Sequence, residues 1–169
     1  RGLIKKRLVP VTVDGPLPFG VGAKDIILAI IAKIGHGGAT GHAIEYAGST
    51  IRALSVEERM TVCNMSIEGG GRAGSVAPDD KVYEYLEGRT YVPKGPDWDA
   101  ALKFWKTLPS DKGATFDREV HLNAEDIAPM VTWGTNPEHG APITDRVPSP
   151  DDAETPEKKQ ELEAAPDYV

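Results

Sequence analysis

The chain has 169 residues, 40% of them hydrophobic and 27% charged, with a net charge of -7. That length supports one domain with a real core, and the negative balance argues against nucleic acid or an anionic membrane as partner. No apolar run approaches the roughly 20 residues of a membrane span, no secretory signal pattern follows the basic start, and a single cysteine excludes an internal disulfide, so a cytoplasmic protein is expected.

In chain order, residues 8–13 (LVPVTV) alternate as a strand, and Pro10 predicts an edge position for it. A Gly/Pro turn follows over 14–18. Ala23–Ile34 is the clearest helix, with Ile26, Ile27, Ile30, Ile31 and Ile34 forming a wide apolar stripe and Gly35 placed as the C-cap. A glycine-rich loop (35–41) leads to a short strand over 42–46, ended by Gly48. Ser55 with Glu58 three residues on is a capping box, and the helix it opens runs into Gly69-Gly70-Gly71. A short strand is expected over 74–77. Next come a helix over 79–87 with Val82, Tyr83 and Leu86 inward, and a helix over 97–108 capped by Asp97, with Trp98, Ala101, Leu102 and Trp105 on one face. Residues 116–122 (FDREVHL) alternate as a half-exposed strand. After Trp133 the pattern is lost, save for a short polar helix opened by Thr155-Pro156-Glu157. Strands alternating with helices indicate a layered α/β domain. Its expected extent is 1–136, with 137–169 an irregular, acidic, proline-rich tail.

Four features compete as sites. The loop Gly35-x-Gly37-Gly38-x-x-Gly41 follows a helix and precedes a strand, the reverse of the context that places a phosphate on a helix N-terminus, so it is expected to be a connection. His36, His42, His121 and His139 show no zinc-ligand spacing and are expected to be structural. Cys63 lies in a helix without a basic neighbourhood and is expected to be a small buried hydrophobe. Asn64 and Glu68, at i and i+4, place an amide and a carboxylate on one helix face ending at glycines, which suits either a solvated surface or a cleft. The segment 131–137 (VTWGTNP) is either a packed turn under its Trp or a site wall.

Several blocks carry more than pattern: GVGAKDIILAIIAKIG, GATGHAIEYAG, SVEERMTVCNMSIEGGGRAG with SVAPDD, YVPKGPDWDAALKFWKTLPSDKGATFD and VTWGTNP. Together and in this order they resemble the large subunits of 3-isopropylmalate dehydratases, within the aconitase family. The resemblance runs from Leu8 to about Val147. It implies an α/β/α aconitase-type domain with a mixed sheet and an irregular tail. It implies part of a hydro-lyase that isomerises 2-isopropylmalate to 3-isopropylmalate by removing and re-adding water, a step of leucine biosynthesis. The implied cofactor is a 4Fe-4S cluster in the full enzyme, and the implied partners are a small subunit carrying a swivelling domain and a 2-hydroxy diacid substrate.

Carried over by position, Asn64 and Glu68 match the family's active-site Asn-x-x-x-Glu and are the expected catalytic residues; no substrate-binding residues are assigned. The family's Ser-Cys-Thr-Asn and Cys-x-x-Cys cluster ligands and its Gly-Asp-Ser-His-Thr segment are missing from these residues, and Cys63 matches none of them. No metal ligand is therefore expected in this chain, which reads as an internal piece of a larger enzyme, inactive alone. The alternatives are a homoaconitase- or citramalate-type isomerase fragment, or a non-catalytic α/β interaction module.

Overall fold

A computed structural model describes residues 7–133, 136–153 and 155–164. Its centre is strand β1 (Arg7–Asp14), whose Val9, Val11 and Val13 are buried as the alternation requires. Strand β2 (His42–Ala47) pairs with it on one side and β4 (Val120–Asn123) on the other, while β3 (Gly74–Val76) extends the sheet beyond β2. All three pairings are parallel, giving the order β3-β2-β1-β4.

Three expectations are corrected here. Strand β1 lies inside the sheet, not at its edge; β4 begins opposite Val11, one residue after Pro10, so on that side the proline faces no ladder partner. Antiparallel pairing is not mixed into this sheet but confined to a separate two-stranded ribbon, β5 (Met130–Thr132) with β6 (Gly140–Pro142). The strand expected over 116–122 is shorter and later, starting at Val120.

Helix α1 (Ala23–Ile34) is the crossover from β1 to β2, as parallel neighbours require. Its Ile26, Ile27, Ile30 and Ile31 are almost fully buried and share one core with Val9, Val11, Val13, Ile44 and Tyr46. Gly35, at φ 78°, ends it. Between β2 and β3 run α2 (Ser49–Ala53) and α3 (Val56–Asn64), and α3 packs beside α1. The capping box holds as expected: the Glu58 amide donates to Ser55 Oγ at 3.2 Å, and the Ser55 amide to Glu58 Oε2 at 2.8 Å. Helix α2 has no such local signal. Its cap comes from a distant residue, for the Ser49 amide donates to Asp14 Oδ1 at 2.7 Å. Gly48, at φ 105°, lets β2 turn into α2 against the backbone of Val13.

The rest of the chain is lighter. Helix α4 (Asp80–Leu86) and α5 (Pro96–Trp105) bury none of their residues fully. They share a small aromatic cluster, with Trp105 stacked on Tyr83 and edge-on to Trp98. Asp97 is not the cap of α5; Gly95 is, with Pro96 as first helical residue and Asp97 in the first turn. Helix α4 is tied to α3 by Arg59, 3% exposed, which makes a forked ion pair with Asp79 at 2.7 and 2.8 Å. The ribbon packs on α1, so the chain keeps regular structure beyond Trp133, in strands of three residues too short to show an alternation. The polar helix expected near Thr155 is α6 (Pro156–Ala164). No helix among the described residues is long and apolar enough to cross a membrane.

Candidate functional site

The site grows from the end of α3. After Asn64 the helix tightens into one 3₁₀ turn, Met65–Ile67, closed by Glu68. Each 3₁₀ residue turns the chain by about 20° more than an α-helical one, so three of them rotate Glu68 by roughly 60° away from Asn64. Asn64 is left exposed, whereas Glu68 is half-buried. The shared helix face expected from the i, i+4 spacing is therefore not formed. Gly69 and Gly71 then fit where a side chain would press on Ile34 and Ile44, and the Ala39 amide donates to Gly69 O at 2.8 Å. The glycine-rich loop 35–41 is thus the dock for this turn, a connection as expected.

Glu68 lines a cavity of about 280 Å³ together with Lys24, Met65, Thr132, Trp133 and Asn136. Helix α1 supplies Lys24, the 3₁₀ end of α3 supplies Met65 and Glu68, and the ribbon and its loop supply the far wall. Two sequence features that stood apart, the Glu68 turn and the segment 131–137, meet here. Gly134 and Thr135 of that segment lie outside the described residues.

Hydrogen bonds fix the far wall. Asp25 receives the Gly22 amide at 2.8 Å and the Met130 amide at 2.7 Å, joining the start of α1 to β5. Glu138 Oε2 accepts from the His36 amide at 2.6 Å, and the His36 ring lies 3.2 Å from Glu68 O. His36 therefore ties both walls, a structural role as expected. His139, 5% exposed, stacks on Trp133 with ring centres 5.9 Å apart, and the Trp133 amide donates to His139 O at 3.1 Å. His42 and His121 make only surface contacts.

Two polar atoms of the cavity residues stand out. Glu68 Oε2 and Trp133 Nε1 are both buried and have no hydrogen-bond partner among the described residues. Buried polar groups are nearly always satisfied, and leaving one unmade costs about 1–3 kcal/mol. Both atoms have almost no accessible surface and so lie behind the wall of the cavity, which the exposed Lys24 also lines. Nearby, burial pushes the Tyr46 phenol up to about 12, with Cys63 and Glu68 adding to the effect, while its Oη pairs with Ser66 Oγ at 2.8 Å. Burial also pushes the Cys63 thiol up, against a thiolate role.

A profile of the aconitase family (aconitate hydratase) matches residues 3–168. The chain belongs to the aconitase family. Its α/β fold with a parallel sheet agrees with an aconitase-type domain, and the family's chemistry is that of hydro-lyases, which remove and add water. Family members typically use a 4Fe-4S cluster, which needs several cysteine thiolates. The residues here do not fit one: Cys63 is the only cysteine in the sequence, and no group of three or more His, Cys, Asp or Glu among the described residues is placed to hold a metal.

Sequence reasoning singled out Glu68, and the segment holding Trp133, but not Lys24, which lines the same cavity. One signal was there. Leu28 is apolar but lies off the isoleucine stripe, one turn after Lys24, marking a second covered face of α1.

Proposed function

We propose that this chain is part of a hydro-lyase that isomerises 2-isopropylmalate to 3-isopropylmalate in leucine biosynthesis, in the cytoplasm. The observation that carries the reading is Glu68 in the wall of a polar cavity, within a chain of the aconitase family. In this reading Glu68 hydrogen-bonds the substrate's hydroxyl, which leaves as water on receiving a proton from an acid while a base takes the proton of the neighbouring carbon, both supplied from outside these residues; rehydration reverses the two transfers with the carbons exchanged. Lys24 offsets the charge of the diacid. Asn64, exposed at the mouth of the same turn, is proposed to fix the substrate oxygen from a surface that another segment covers.

The residues present do not fit the 4Fe-4S cluster, so its cysteine ligands are proposed to come from outside these 169 residues. The proposed partner is a small subunit that closes the pocket. Residues 1–136 are proposed as the aconitase-like unit and 137–169 as its connection. Homoaconitase- and citramalate-type isomerisation differ from this reading only in the side chain accepted.

The test is Glu68→Gln in the full-length enzyme with its partner. Turnover is expected to fall by about 10²- to 10⁴-fold with the fold and cluster content unchanged. Loss of either the cluster or the fold in that variant would make Glu68 a structural residue and end this assignment.

A further inference from the structure

We infer that Ser66 and Tyr46 are positioning residues for Glu68, their buried hydroxyl pair setting the direction in which the 3₁₀ turn aims the carboxylate. The inference rests on the reading of Glu68 as the residue that meets the substrate's hydroxyl. Ser66 is the middle residue of the turn Met65–Ile67, which Glu68 closes with its amide donating to Met65 O at 3.2 Å. The turn buries its serine, 2% exposed, and leaves its isoleucine, Ile67, 70% exposed. Burial alone would favour the reverse, since isoleucine gains far more than serine on leaving water. What Ser66 finds inside is a partner. Its Oγ lies 2.8 Å from Oη of Tyr46 on β2, a side chain that is itself fully buried.

Ser66 is seated against the sheet from two sides. Beside Tyr46, β3 comes so near that a Cβ on Gly74 would lie 2.1 Å from Ser66 Oγ, and the Gly71 amide donates to Ser66 O at 2.9 Å. In a 3₁₀ turn each residue is rotated by about 120° from the last, so a side chain two residues on is carried about 240° round. With Ser66 held against the sheet, Glu68 is turned to the cavity it shares with α1 and the ribbon. A hydrogen bond is directional, whereas apolar contact tolerates sliding, so the pair fixes the rotation of the turn as an apolar side chain at 66 would not. The tolerance is narrow, for a productive site survives rotations of only about 10–20°. Burial pushes the Tyr46 phenol up to about 12, so its proton, and the pair with it, is kept throughout the neutral range.

The test is a mutant cycle in the full-length enzyme with its partner. Tyr46→Phe and Ser66→Ala each leave one buried hydroxyl without its partner, and the double variant leaves neither, which is close to neutral for stability. The melting temperature should therefore recover in the double variant, while kcat/KM stays about 10- to 100-fold below the wild type because the carboxylate is misplaced. In a Glu68→Ala background no carboxylate is left to misplace, and the same pair of substitutions should change the remaining kcat/KM by no more than about twofold. Should Ser66→Ala not fold, Tyr46→Phe, which keeps the ring in the core, carries the cycle with Glu68→Ala alone. Activity that recovers together with the melting temperature, or an equal loss with and without Glu68, would make the pair structural only and overturn the inference. Wild-type turnover by Glu68→Ala itself would instead end the reading of Glu68 on which the inference rests.

Discussion

Replacing Glu68 by methionine should make the protein more stable while removing its activity. The side chain is half-buried and one of its oxygens, Oε2, is withdrawn from water with no donor among the described residues. Methionine matches it in length and has no polar atom to leave unmade. The backbone bonds of residue 68, its amide to Met65 O and its carbonyl beside the His36 ring, do not depend on the side chain. An unmade buried group costs about 1–3 kcal/mol, and because only one of the two carboxylate oxygens is fully withdrawn the gain is set at about 1–2 kcal/mol. For a chain of this size that raises Tm by about 2–8 °C. Circular dichroism melts of wild type and Glu68→Met measure it directly. A fall in Tm of more than about 2 °C would mean that the carboxylate is structurally satisfied, and the reading of Oε2 as a buried acceptor left unmade would be wrong.

Two further variants probe the frame. Asp79→Ala should cost about 3–5 kcal/mol in urea unfolding, since it strands the buried Arg59 guanidinium and removes the acceptor of the Val82 amide at the start of α4. The hydrogen bond from Arg59 holds the Asp79 carboxyl below its ordinary value of 3.8. A depressed carboxyl contributes stability that is full above its unfolded value and lost as pH falls through the folded one, so the wild type should lose more stability than Asp79→Ala on going from pH 5 to pH 3; parallel curves would refute the pairing. Gly48→Ala places a Cβ 2.6 Å from the Val13 carbonyl carbon at a φ of 105°, and should cost about 2–5 kcal/mol by chemical denaturation. A wild-type midpoint would mean that β2 leaves β1 along another path.

What could be read from the sequence was what neighbours in the chain decide. The isoleucine stripe of α1 and the Ser55/Glu58 capping box need only residues three or four apart, and both stand as expected. The cap of α2 is Asp14, 35 residues back, so five residues with no local signal became a helix unannounced. Pro10 misled because its missing N–H matters only where a second strand is paired, and β4 starts one residue too late to need it. At the candidate site the carboxylate of Glu68 was legible from its turn of chain. Its separation from Asn64 was not, because a change from α to 3₁₀ winding leaves no periodic trace in three residues. That Trp133 and Lys24 would line one cavity with Glu68 follows only from the return of the chain along β4.

That return has an entropic meaning. Asp25 and Glu138 hold the far wall across sequence separations of 105 and 102 residues, and neither lines the cavity. Loops that long would cost on the order of 4 kcal/mol to close one hydrogen bond. Strand β4 has already met that cost by pairing Val120–Asn123 alongside Val11–Asp14, which delivers the chain beside α1 a few residues before Met130. The two carboxylates therefore need close only a short span, and their bonds go almost wholly into fixing where Trp133 stands. A four-residue edge strand thus sets how much disorder the cavity's wall retains.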